Sequence, residues 1–175
     1  MRLKSTSTQY GVVAVSIHWI SAALILALIA SGFVAEATQP NPTVLRIHIG
    51  LGGAILMLTV LRLAWWLFAD SKPANIPGSG WQVRLSGLVH ILFYVVIFGM
   101  AASGIGMLVL SNALPVLIDG TSATLPDFDT LAPRRAHGFG ARLMIALLIL
   151  HTGAALYHHV FKRDGTLQRM WFARS

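Results

Sequence analysis

Polar and charged positions along this chain fall in short clusters, and between them lie four apolar runs. These extend roughly from Val12 to Ala35, Val44 to Ala69, Leu85 to Leu110 and His137 to Phe161. As helices, each is long enough to cross a hydrocarbon core that takes about 20 residues. The connection Asp70 to Arg84 carries Pro73, Pro77, Gly78 and Gly80, and the connection Ser111 to Ala136 carries Pro115, Gly120, Pro126 and Pro133, so both read as loops. No internal repeat or low-complexity tract appears. The pattern predicts an all-α, integral membrane four-helix bundle, one domain over residues 1–175. Arg2 and Lys4 before the first run, and Ala35-Glu36-Ala37 after it, resemble a signal peptide. The apolar stretch is longer than the ~7–15 residues of a signal core and contains a histidine, so it reads as a span.

Composition agrees with lipid as the solvent: 55% of the residues are hydrophobic and 11% charged, against about a quarter charged in soluble chains. The absence of cysteine excludes a disulfide framework, a thiolate-held iron–sulfur cluster and covalent haem attachment. A metal here must be held by histidine, methionine or oxygen. The net charge of +7 is spread over short stretches between apolar runs, which speaks for membrane topology and against nucleic acid.

Outside the apolar runs, the N-terminus (Arg2, Lys4), the second connection (Lys72, Arg84) and the C-terminal tail (Lys162, Arg163, Arg169, Arg174) hold eight basic residues. The first and third connections hold three, Arg46, Arg134 and Arg135. The positive-inside bias predicts both termini in the cytoplasm. Trp65, Trp66, Trp81 and Trp171 then fall near the inner interface as an aromatic belt.

All seven histidines lie within or at the edge of a predicted span, where ionisable groups are costly and functional candidates by default. On the fourth span His137 and His151 are 14 residues apart, 40° short of four turns, so they share a face about 21 Å apart along the axis. His48 and Arg62 repeat that step on the second span. With the orientation above, His48 and His137 lie at the outer level and His18 and His151 at the inner level. Two neutral imidazoles facing each other across a bundle are what bis-histidine haem ligation needs. The sequence therefore predicts two non-covalent b-type haems, an outer one on His48 and His137 and an inner one on His18 and His151.

Gly50, Gly52, Gly53, Gly138 and Gly140 offer room beside the outer pair, and also suit helix packing. Arg62, at the depth of the inner pair, suits a haem propionate, the competing reading being a side chain that snorkels to the surface. A zinc or copper site is the non-haem reading, as in a metal transporter, but each pair supplies two ligands where zinc usually takes three or four. His90 shares the depth of His18 and His151, and His158 lies at the inner interface. Both fit the hydrogen-bonding needs of a quinone site, while His159 reads as solvated.

The chain resembles the prokaryotic cytochrome b561 family, in particular its superoxide oxidase branch, from Tyr10 to about Trp171. The resemblance rests on Ser16-Ile17-His18-Trp19, Ile47-His48, Val60-Leu61-Arg62-Leu63, His90, His137, His151 and His158-His159, followed by Asp164 and Thr166-Leu167-Gln168-Arg169-Met170. It implies a bundle in the bacterial inner membrane whose first, second and fourth helices ligate haem, with quinone as electron partner. Its superoxide oxidase branch implies oxidation of superoxide at the outer face coupled to ubiquinone reduction. Arg46, Arg134 and Arg135 then become candidates for attracting the anion, although Asp119, Asp127 and Asp129 weaken a positive field there. Because the family also includes haem-bearing anchor subunits of hydrogenases and dehydrogenases, relay to a redox partner protein is the alternative.

Overall fold

The computed structural model describes residues 2–37, 41–74, 80–119 and 125–172. Four long helices dominate: α1 (Val12–Ala37), α2 (Pro42–Ala64), α3 (Gly80–Ser111) and α5 (Ala132–Tyr157), with a short α4 (Leu114–Asp119) before the last. No strand occurs among the described residues. α2 and α5 each continue into one wider π turn, Trp65–Ala69 and His158–Lys162, giving spans of 26, 28, 32 and 31 residues. All four exceed the ~20 residues a membrane requires. The expected four-helix membrane bundle is what the chain forms.

The ends of the helices depart from the apolar pattern. α1 extends through Glu36 and Ala37, α3 starts at Gly80, and α5 starts at Ala132, so residues expected in loops are helical. The third connection is not a plain loop, because α4 lies inside it. Proline misled the reading there: Pro115 and Pro133 occupy first turns, where a missing N–H costs nothing. Asn41 caps α2 by accepting the Thr43 N–H, with Pro42 following it. α3 stops at Asn112, whose left-handed φ of 52° is the conformation asparagine tolerates after a helix. Pro77, Gly78, Gly120 and Arg174 lie outside the described residues.

Within the bundle α1 lies along α2 and α3 along α5, and the two pairs meet chiefly through α2 and α3. A core cluster draws on every span: Ile25 from α1, Ile55 from α2, Val89, Val96 and Ile97 from α3, Met144 and Leu147 from α5. Most other apolar side chains point outward, as a lipid solvent allows.

Both chain ends sit at the same end of the bundle, here called the terminal end. Gln9 donates to the carbonyls of Gln168 and Trp171, Trp19 to that of Met170, and Arg169 to those of Thr8 and Ala74. The four tryptophans expected at one interface belong to this end, on the π turn of α2, the start of α3 and the tail. Asp70 anchors the N-terminal segment. It accepts the Ser5 hydroxyl at 2.8 Å, the Ser5 N–H at 3.0 and 3.1 Å, the Ser71 N–H at 2.9 Å and the Trp65 indole at 3.2 Å.

Burial pushes the Asp70 carboxyl up, but these hydrogen bonds outweigh it and hold the group below the usual carboxylate range. A lowered folded value means the stabilisation is complete above the unfolded value near 4 and lost as pH falls through the folded one. Asp70→Ala should therefore lower stability at pH 7 by about 1–3 kcal/mol. Thermal melts in detergent, followed by helix circular dichroism, should show the gap from the parent chain closing as the pH is lowered below about 4.

Candidate functional site

Three helices carry the histidines at matched intervals. On α5, Met144 of the core lies seven residues from both His137 and His151; on α2, Ile55 lies seven from both His48 and Arg62; on α1, Ile25 lies seven from His18 and from Gly32. Seven residues are 20° short of two turns and about 10.5 Å of rise, so each set shares one inward face. The apolar layer separates two polar levels.

At the far end, opposite the terminal one, the His48 and His137 rings face each other with centres 6.1 Å apart. At the terminal end the His18 and His151 centres are 6.2 Å apart. Neither pair is joined by a direct hydrogen bond. Two imidazoles that bond one metal from opposite sides at about 2 Å each have centres about 6 Å apart. Both pairs match the expectation from depth, and both gaps have that size.

The far pair also has its proton arrangement fixed. Ser31 Oγ lies 2.8 Å from His48 Nδ1 and donates to the Leu28 carbonyl; Ser103 Oγ lies 3.0 Å from His137 Nδ1 and donates to the Met100 carbonyl. A hydroxyl has one proton, so each serine accepts from Nδ1–H and leaves Nε2 with a free lone pair. That is the tautomer and orientation a metal-ligating histidine takes. A Cβ on Gly32 would lie 3.6 Å from His48 Cε1, and one on Gly104 3.7 Å from His137 Cε1. Neither serine nor either of these glycines was singled out by sequence. The signal available was a hydroxyl inside an apolar run.

Among the glycines singled out by sequence, Gly52 is one turn from His48 on nearly the same face, and a Cβ there meets nothing within 4 Å. Gly50 and Gly53 are equally open but point away from that face. Gly138 lies near the Arg134 guanidinium, and Gly140 is a packing contact, where a Cβ would come within 2.6 Å of Met100 Sδ. Open space beside paired donors fits a flat cofactor. Among the described residues no group of three or more His, Asp or Glu side chains could hold a metal ion.

Arg62, half-buried, lies close enough to be an electrostatic neighbour of His18, His90 and His151, and has no hydrogen bond or ion pair among the described residues. His90 comes closer to the terminal pair than depth alone implied: its ring centre is 5.5 Å from that of His151, and Phe93 is equally near. His90 Nδ1 donates to the Ser86 carbonyl at 2.7 Å, leaving Nε2 as an acceptor. His158, on the π turn, donates from Nδ1 to Asp164 at 2.5 Å. The left-handed Arg163 and Gly165 turn the chain so that Asp164 reaches back. Burial raises the Asp164 carboxyl, but Thr166 and His158 outweigh it and hold it at about 2. His159 is exposed, with Gln168 at its Nδ1.

At the far end the three arginines differ. Arg46 Nε donates to the Leu117 carbonyl and has no acidic partner among the described side chains. Arg134 pairs with Asp129 at 3.2 Å and reaches Glu36 at 4.0 Å. Arg135 is exposed and has no partner among the described residues.

Residues 9–173 match the family model of prokaryotic cytochrome b561. The chain is 26% identical to cytochrome b561 homolog 2 of Escherichia coli (strain K12), over 97% of its own length and 95% of the relative's. It is 28% identical to the probable superoxide oxidase CybB of Yersinia pestis, over 93% of its length and 95% of the relative's. Cytochrome b561 homolog 1 of Escherichia coli is 24% identical, over 88% and 92%. With nearly the whole chain matched and four helices able to cross a membrane, this protein belongs to the prokaryotic cytochrome b561 family of membrane proteins that bind b-type haem.

Proposed function

We propose that this chain holds two b-type haems in the bacterial inner membrane, with both termini cytoplasmic, and moves electrons from the periplasmic far end to quinone near the terminal end. The observation that carries the reading is the pair of histidine gaps, 6.1 and 6.2 Å, at two levels across one apolar layer. His48 and His137 would hold one haem, with Ser31 and Ser103 fixing their free Nε2 atoms. His18 and His151 would hold the other, with Arg62 meeting a propionate, since a guanidinium inside a span otherwise lacks a counter-charge. The bound haems would supply one-electron chemistry.

The likeness to a probable superoxide oxidase supports superoxide as donor and ubiquinone as acceptor. Two superoxide anions give up one electron each and leave as dioxygen, and ubiquinone takes both electrons with two protons to form ubiquinol. Arg46, two residues from His48 and without an acidic partner among the described side chains, is the cation best placed to draw the anion. Arg134 is largely neutralised by Asp129. His158 is the better proton donor to quinone, because its partner is a carboxylate: as an imidazolium it gives Nδ1–H to Asp164 and keeps Nε2–H for a ligand, whereas neutral His90, bonded to a carbonyl, presents an acceptor.

His48→Ala should cut haem from two to one per chain by pyridine haemochrome assay, and loss of neither haem refutes the pairing. Ser103→Ala should weaken retention of that same haem by about 10- to 100-fold, read as haem loss to a scavenger, with the other haem unaffected. In liposomes containing ubiquinone, the purified chain should form one ubiquinol for every two superoxide anions supplied. Quinone reduction that appears only with a co-purifying iron–sulfur protein would instead make the chain an anchor subunit. His158→Phe should slow ubiquinol formation by about 10²- to 10⁴-fold with both haems retained.

A further inference from the structure

Arg142 is a charge the electron path does not use. It sits ten residues into α5, exposed, with no hydrogen bond or ion pair among the described residues. On the helical wheel it lies 180° from His151, and the residues around it confirm the face: Phe139 and Ile149 are 66% and 70% exposed, whereas Met144 and Leu147 on the opposite side are 6% and 4%. Arg142 therefore points into lipid, where an unpaired guanidinium is costly.

Depth and direction indicate how that charge is met. The span Ala132–Lys162 has 31 residues, about 45 Å at 1.5 Å each, against about 30 Å of hydrocarbon. Centred on the membrane, it places Arg142 about 7 Å inside the boundary and Arg135 about 3 Å outside. Helical side chains lean toward the helix N-terminus, which for α5 is the direction of the nearer surface, and arginine has the stem to follow. Arg135, seven residues earlier, is on the same face, also exposed and without a partner among the described residues. From Cα atoms about 10.5 Å apart along the axis, their stems let both guanidiniums reach the headgroup level.

A second copy of this chain has no carboxylate at the depth of the Arg142 backbone, and at the headgroup level Glu36 and Asp129 already face Arg134. The six acidic residues are Glu36, Asp70, Asp119, Asp127, Asp129 and Asp164, all at helix ends or in connections. Phosphate is the anion a membrane presents there, and its oxygens suit guanidinium forks. We propose that Arg135 and Arg142 clamp the phosphodiester of one phospholipid in the leaflet around the N-terminal end of α5.

The test is native mass spectrometry of the full haem-loaded chain, titrated with phosphatidylglycerol and, separately, with a diacylglycerol of the same acyl chains. The parent chain should retain one phosphatidylglycerol, and Arg142→Leu should weaken that retention at least tenfold. Arg142→Lys should fall between, having charge without the fork. Helix circular dichroism checks folding, and Arg142→Gln replaces the leucine variant if that one unfolds. Equal retention by parent and neutral variants overturns the proposal, as does equal binding of diacylglycerol. Displacement of the lipid by millimolar inorganic phosphate overturns it in favour of a free anion. Loss of a dimer with unchanged lipid overturns it in favour of a second copy.

Discussion

Everything in this bundle depends on a gap that protein atoms do not close. α1 keeps to α2 and α3 keeps to α5, and the histidines of α1 and α2 face those of α5 across the division between the pairs. Apolar packing fills that division only in its middle, through Ile25, Ile55, Met144 and Leu147. Above and below, imidazoles stand about 6 Å apart with no hydrogen bond between them. Buried polar groups normally find partners. Rings held apart at both levels are what the proposed haem sites rest on, since each pair could donate to one shared atom.

The two levels are built differently. At the far end, serines on α1 and α3 set each ring's tautomer, so the donor set is organised by the neutral protein. At the terminal end no such hydroxyl is present; His90, Phe93 and Arg62 crowd the pair instead. Arg62 stands beside the terminal pair without a carboxylate among the described residues, whereas Arg134, the arginine nearest His137, is paired with Asp129, so the two levels differ in charge as well as in hydrogen bonding, the levers that would separate the potentials of the proposed haems.

The spans and the histidine pairs were legible in the sequence because both are periodic properties of single helices. Fourteen residues between His137 and His151 fix a shared face whatever the neighbours do. Contacts between helices were not legible: Ser31, Ser103, Gly32 and Gly104 matter through a ring on another element, and nothing in their own neighbourhoods marks them. Gly140 shows the same limit from the other side, read as room for a cofactor and occupied by Met100. Helix ends were missed where proline sat in a permitted first turn. Arg142 was absent from the reading altogether, since the wheel places it away from every histidine.

The segments outside the spans also help to set the width of the terminal site. His18 is followed by Trp19, whose indole donates to the Met170 carbonyl and packs edge-on against Trp171, while Gln9 and Arg169 tie the same tail to the N-terminal segment. Because α1 and α5 do not run against each other, the tail that follows α5 acts as a strut between them. It returns from the end of the last helix and fastens the first one at the level of His18. The aperture between His18 and His151 is thus governed by a segment made after all four spans, so the terminal level stays adjustable until that segment has docked.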